Sequence, residues 1–201
     1  SGKAIEQIRQ DADRENILSG YAEMLKHGLI SNEAMWAELL NFNLDTEQLD
    51  LTTLQRMLAD SVAVKQRIVT EDPLEHGIRK ALNLGHTAGH AFESFALSHG
   101  PILHGYAVAY GLVCELYLSC VKTGFPTDKM RQTISFIREH YGRMSITCDD
   151  YPTLFEFMTH DKKNTAGSIN FTLLGGIGDI RINQTATKDE IYEAIDFYRE
   201  G

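Results

Sequence analysis

The apolar positions of this chain repeat at helical spacing over most of its length and at strand spacing only near its end. Tyr21, Met24, Leu25 and Leu29 recur every three or four residues, which predicts a helix over residues 20–30. Ser31 and Asn32 supply a break and a cap for a second helix over 33–41. From 46 to 70 the pattern is again helical, carried by Leu49, Leu51, Leu54, Met57, Leu58, Val62, Val64, Ile68 and Val69, and Pro73 closes that run. Residues 83–97 form a further helix, followed by the loop pair Gly100-Pro101. The most apolar long helix is 104–122, with Val108, Leu112, Val113, Leu116, Leu118 and Val121; Gly124 and Pro126 break it before helices over 128–141 and 151–160. The period then changes. Residues 168–174 alternate, Gly175-Gly176 supplies a turn and 178–183 alternate again, which predicts one β-hairpin. Thr187 caps a closing helix over 187–198, with Glu190 completing a capping box.

The fold class is therefore mainly α, one multi-helix domain over 18–201 carrying one small β-hairpin near its end. Residues 1–17 stand apart as an N-terminal segment, and Ser1-Gly2 fits a cloning remnant. There is no repeat period and no linker. A dinucleotide-binding unit needs strands alternating with helices and a glycine-rich turn after the first strand, and the chain has no such pattern, so it is not expected to bind NAD by itself.

Composition narrows the function classes. The 201 residues are 43% hydrophobic and 23% charged, which suits a globular protein and excludes a disordered one. No apolar run approaches the roughly 20 residues of a membrane span, so no membrane partner is expected. No secretory leader is expected either, and a cytoplasmic setting is the default. The net charge of −9 argues against nucleic acid as a partner, because phosphate-backbone binders rely on excess Lys and Arg. Three cysteines without CxxC spacing give neither a disulfide framework nor a thiolate metal site.

Candidate chemistry concentrates in one stretch, Arg79-Lys80-Ala81-Leu82-Asn83-Leu84-Gly85-His86-Thr87-Ala88-Gly89-His90. His86 and His90 are four apart, so on a helix their imidazoles share a face. The zinc-protease motif HExxH has that spacing, but Thr87 stands where the motif needs its catalytic Glu. By itself such a pair equally suits a solvated face. His104 lies where a loop meets the apolar helix, a position that also suits an ordinary first-turn residue. Glu23 and Lys26 read singly as a surface ion pair, Lys65 as a snorkelling side chain, and Asp161-Lys162-Lys163-Asn164 as a solvated turn.

Their order carries more than each alone. Gly-x-Ala-Glu-x-x-Lys-x-Gly, Lys65, Arg-x-x-x-Asn-x-Gly-His-x-x-x-His-Ala-x-Glu, Leu-His-Gly-x-Ala-Val-Ala-x-Gly and Asp-Lys-Lys-Asn before a hairpin follow one another along the chain. In that arrangement the chain resembles the C-terminal domain of the 3-dehydroquinate synthases over about residues 18–201. The resemblance implies a helical metal- and substrate-binding domain. It also implies that an N-terminal NAD-binding domain, lying outside this chain, closes the active-site cleft. Glu23, His86 and His104 then stand for the zinc (or cobalt) ligands, a set that leaves coordination positions open. Lys26 stands near the metal and the substrate hydroxyl, and Lys65 and Arg79 at the substrate carboxylate, where a guanidinium fork suits a planar acid. Asn83 and His90 stand near the phosphate and its elimination, with Lys162 completing that pocket.

The reaction this implies converts 3-deoxy-D-arabino-heptulosonate 7-phosphate to 3-dehydroquinate and phosphate, with NAD and zinc as cofactors, in the shikimate pathway. The full-length enzyme is expected to be a homodimer, and the chain alone is expected to be inactive. The alternatives are a related sugar-phosphate cyclase, a metal-dependent polyol dehydrogenase, or a non-catalytic helical module with structural histidines.

Overall fold

The computed structural model describes residues 2–160 and 167–201. Helix α1 runs Gly2–Ser31, α2 Glu33–Asn41, α3 Leu51–Glu71, α4 His86–Ala96, α5 His104–Thr123, α6 Thr127–Tyr141 and α7 Tyr151–Thr159. The hairpin strands are β1, Ser168–Gly176, and β2, Asp179–Thr187, and α8 closes the chain over Lys188–Glu200. Short 3-10 helices occupy Ile78–Asn83 and Cys148–Asp150. The one sheet among the described residues is this two-stranded antiparallel hairpin. No described helix is long and apolar enough to cross a membrane.

Helix α5 is the axis of the domain. Its apolar residues are buried nearly all round, and α1, α4, α6, α8 and β1 all pack against it. Two contacts need glycine. A Cβ on Gly105 would sit 1.9 Å from Ser19 O, and one on Gly111 would sit 2.1 Å from Gly85 O. Helices α1 and α4 therefore touch the α5 backbone itself, one at its first turn and one near the end of its second.

Three boundaries differ from the sequence pattern. Helix α1 starts at Gly2 rather than 20, because residues 3–16 are good helix formers without proline or glycine. That extension is solvated throughout, leaving Ile5 and Ile8 exposed, so it has no apolar face for a periodicity argument to find. Helix α3 begins at Leu51, where the Asp50 side chain caps the Thr53 N–H, so residues 46–50 are a turn. The helix expected over 83–97 is divided: Gly85 has a left-handed φ of 82°, and α4 proper starts at His86.

The hairpin turn lies at Ile177-Gly178, two residues beyond Gly175-Gly176. Register breaks near Gly175 on β1 and Asn183 on β2 absorb the offset, Asn183 with a positive φ of 54°. At the tip, the Gly178 N–H donates to Leu29 O at 2.8 Å, fastening the hairpin to the end of α1. Within the strand, Thr172 Oγ1 donates to Lys80 O at 2.8 Å and so supports the Ile78–Asn83 segment. The capping box of Thr187 and Glu190 at the start of α8 forms as the sequence predicts.

Candidate metal centre

Three helices bring the site together. Glu23 lies in the last third of α1, His86 is the first residue of α4 and His104 is the first residue of α5. Among the described residues these are the three whose donor atoms cluster tightly enough for one metal ion, all within 4.8 Å of one another. Glu23 Oε1 lies 3.4 Å from His104 Nε2 and 3.8 Å from His86 Nε2. Donors about 2.0–2.1 Å from a tetrahedral zinc are separated by about 3.3 Å from one another, so these spacings fit such an ion with little adjustment.

The tautomers agree with that fit. Both carboxylate oxygens of Glu93 lie 3.2–3.3 Å from His104 Nδ1, so Nδ1 donates to Glu93 and Nε2 is the nitrogen turned toward Glu23. Lys26 Nζ lies 3.0 Å from His86 Nε2 and can donate to it, which puts a lone pair on the nitrogen that would face an ion.

Lys26 is buried, and it forms an ion pair with Glu23 Oε2 at 2.7 Å and donates to Leu82 O at 2.9 Å. Burial pushes its pKa below the ordinary lysine value; Glu23 opposes that shift, Lys65 adds to it and Glu115 opposes it. For Glu23, burial alone would raise the pKa. Its contacts with His86 and Lys26 outweigh burial and hold the carboxyl far below the usual range. Burial lowers the pKa of His86, so its ring is neutral at neutral pH. A carboxylate and neutral imidazoles are the protonation states that zinc requires.

His90 lies one turn along α4 from His86, with ring centroids 5.2 Å apart, and is 6.4 Å from the His104 ring. It is exposed at the rim of the cluster. Lys65, on α3, is exposed and close enough to act on both Lys26 and His27. Arg79 and Asn83 sit on the segment between α3 and α4. The Arg79 guanidinium donates to Pro73 O at 2.8 Å, and the Asn83 amide donates to Glu75 Oε1 at 3.3 Å. The structure thus gathers Glu23, Lys26, His86, His90 and His104, whereas Arg79 and Asn83 turn to partners within their own loop. Lys162 lies outside the described residues.

Two carboxylates were given no role by the sequence argument, although Glu93 closes the Arg79–Glu93 motif. Glu93, three residues beyond His90, orients His104, and its signal was its place on the same helix as both histidines. Glu115 is fully buried in α5, where it accepts from the Gly85 N–H at 2.8 Å and the Ala88 N–H at 3.0 Å. It is the only charged residue between His104 and Lys122, an anomaly visible in the sequence. His27 and Ser61 also hydrogen-bond, in the α1–α3 contact, at 2.5 Å.

A helical domain with a hairpin, closing one carboxylate, two imidazoles and a lysine around an ion-sized gap, has the dehydroquinate synthase-like fold. Two solved sugar-phosphate cyclases share it. One is the 2-epi-5-epi-valiolone synthase of Streptomyces hygroscopicus subsp. jinggangensis with NAD+ and Zn2+ bound, with a TM-score of 0.77 and 20% identity over 93% of this chain and 52% of that one. The other is a 2-deoxy-scyllo-inosose synthase complexed with carbaglucose-6-phosphate, NAD+ and Co2+, with a TM-score of 0.72 and 22% identity over the same shares. At such identity the likeness is one of fold. The chain belongs to the 3-dehydroquinate synthase C-terminal family, which it matches over residues 20–164. It is 58% identical over 190 residues to the 3-dehydroquinate synthase of Parabacteroides distasonis, covering 94% of this chain and 53% of that protein. To the enzyme of Bacillus pumilus it is 35% identical, covering 90% and 49%. The chain spans about half the length of the curated relatives it matches.

Proposed function

We propose that this chain is the metal- and substrate-binding half of a 3-dehydroquinate synthase. In this reading it works with an NAD-binding half to convert 3-deoxy-D-arabino-heptulosonate 7-phosphate to 3-dehydroquinate and phosphate. The observation that carries the reading is the convergence of Glu23, His86 and His104 beside Lys26, in a chain so close in sequence to enzymes of that name. Glu23, His86 and His104 would hold a zinc or cobalt ion. When bound, the metal would polarise the substrate's ring hydroxyls as a Lewis acid, and NAD would exchange hydride with the ring carbon.

The chain's own residues divide the remaining work. Lys26 holds a proton at Nζ beside the reacting hydroxyl, and its depressed pKa lets that proton move more easily than on a solvated lysine. Lys65 and Arg79 bind the substrate carboxylate, Arg79 exchanging its Pro73 carbonyl for the acid. Asn83 and His90 hold the phosphate, with Lys162 as a further cation, and His90 assists its elimination. This cationic group offsets the overall negative charge where a doubly anionic substrate enters. The cytoplasm and a homodimeric full-length enzyme accompany this reading.

The test joins this chain to the N-terminal half of the Parabacteroides distasonis relative and measures phosphate released from the substrate with NAD and zinc present. Phosphate release that is lost in His86→Ala is the expected result. A folded, zinc- and NAD-loaded protein that releases none overturns the proposal.

A further inference from the structure

Helix α4 begins without a side-chain cap of its own. Its N-cap is Gly85, so nothing local satisfies the exposed N–H groups of its first turn. Two of those groups, the N–H of Gly85 and of Ala88, are met from another helix. The fully buried carboxylate of Glu115 accepts from Gly85 and Ala88, the residues that bracket His86. A buried carboxylate is costly unless its oxygens are hydrogen-bonded, and the positive end of a helix is a favourable place for one. The absence of a side chain at Gly111, one turn earlier on α5, lets the α4 backbone come close enough for these bonds.

The geometry points to Glu115 as a positioning residue for the metal centre, which fixes His86 by gripping the backbone on either side of it. This rests on the reading of Glu23, His86 and His104 as metal ligands. The same helix that carries Glu115 begins with His104, about three turns away. Helix α5 thus acts as a ruler: one end bears one imidazole, and a carboxylate further along sets where the other imidazole starts. With the α4 turn released, the His86 ring could drift while Glu23 and His104 stayed in place. Metal affinity would then fall without any ligand being changed.

The 201-residue chain is titrated with zinc against a chromophoric chelator, as wild type, as Glu115→Gln and as Thr133→Val. Thr133 is buried on α6, where it accepts from the Trp36 indole N–H, and it controls for general destabilisation. Glu115→Gln keeps one acceptor but turns an amide toward the other N–H. It is expected to weaken zinc binding 10- to 100-fold, the range seen when residues supporting a ligand are changed. It is also expected to shift the visible spectrum of the cobalt form, while Thr133→Val leaves both unchanged. In the wild type, the Gly85 and Ala88 amides should resist hydrogen exchange as strongly as the interior of α4. This measurement decides the matter if Glu115→Gln does not fold. Exchange as fast as an ordinary first helical turn, or zinc affinity in Glu115→Gln equal to wild type, overturns the role of Glu115 alone. Wild-type protein that takes up no zinc overturns the ligand reading, and this role with it.

Discussion

Lys26 Nζ stands 3.0 Å from Nε2 of His86, against the lone pair that a metal ion would need. The lysine also neutralises Glu23, so in metal-free protein it serves as the cation of the cluster. Lys26→Met should therefore lower the stability of the metal-free chain by about 1–3 kcal/mol, the cost of leaving a half-buried carboxylate without its partner. Zinc should restore more stability to this variant than to the wild type. Thermal melts with and without zinc check this, and an unchanged metal-free melting temperature would count against it.

The two histidines of α4 should separate by substitution. His86→Ala and His104→Ala are expected to lose zinc. His90→Ala should keep zinc yet lower turnover of the complete enzyme by about 10²–10⁴-fold, the usual loss for a proton-transfer group. Zinc stoichiometry of the purified His90→Ala protein is the readout; a metal-free product would make His90 a ligand. Zinc affinity of the wild type should also fall in acid as His86 takes up a proton, at a pH lower than for a solvated imidazole because burial lowers its pKa.

Acid should loosen the α1–α3 contact. Burial, with the nearby Lys26 charge, pushes the pKa of His27 down to about 4. Its folded-state pKa is thus below its unfolded value of about 6.5, so in that interval the unfolded chain binds the extra proton. The contribution is intact at neutral pH and is lost as pH falls from about 6.5 through 4, by about 3 kcal/mol in all. His86 and His140, both also lowered by burial, act in the same direction. Urea unfolding at pH 7 and pH 4.5 measures the slope, and His27→Gln should flatten it.

Gly105→Ala would drive a methyl group against the Ser19 carbonyl, and backbone cannot yield as a side chain can. The expected cost is about 3 kcal/mol. Because His104 is the adjacent residue, zinc affinity should fall as well. Denaturant unfolding and metal titration of one protein sample report both effects.

The chain alone should show no NAD binding, since the described residues contain a hairpin and helices but no parallel sheet. Calorimetry with NAD and the zinc-loaded chain should give only heats of dilution; saturable micromolar binding would contradict the expectation.

Much of this was legible beforehand because amphipathic helices and capping boxes are local signals. The extents of α2 and α5 and the Thr187 cap followed from spacing and end residues. The first half of α1 did not, since a solvated helix has no apolar stripe. The break at Gly85 was hidden because a left-handed glycine looks in sequence like any small residue within a helix. In the site, spacing pointed to His86 and His90 as a pair, whereas Glu23 and His104 joined His86 only through the motif resemblance. No local rule brings together residues on three helices. Glu115 was visible as an isolated charge in an apolar helix, but its partners are backbone amides, which carry no side-chain signature.

The bond from the hairpin tip to Leu29 also bears on how the domain is made. It joins residues 29 and 178, a pairing of high contact order that must wait for the hairpin to be synthesised. The helix that carries Glu23 and Lys26 is closed off by the tip of β1 and β2. Until that segment emerges, the nascent chain can form its local helices but lacks the fastening that completes α1. A chain truncated before the hairpin is accordingly expected to keep its helices but to hold zinc less tightly than the whole domain.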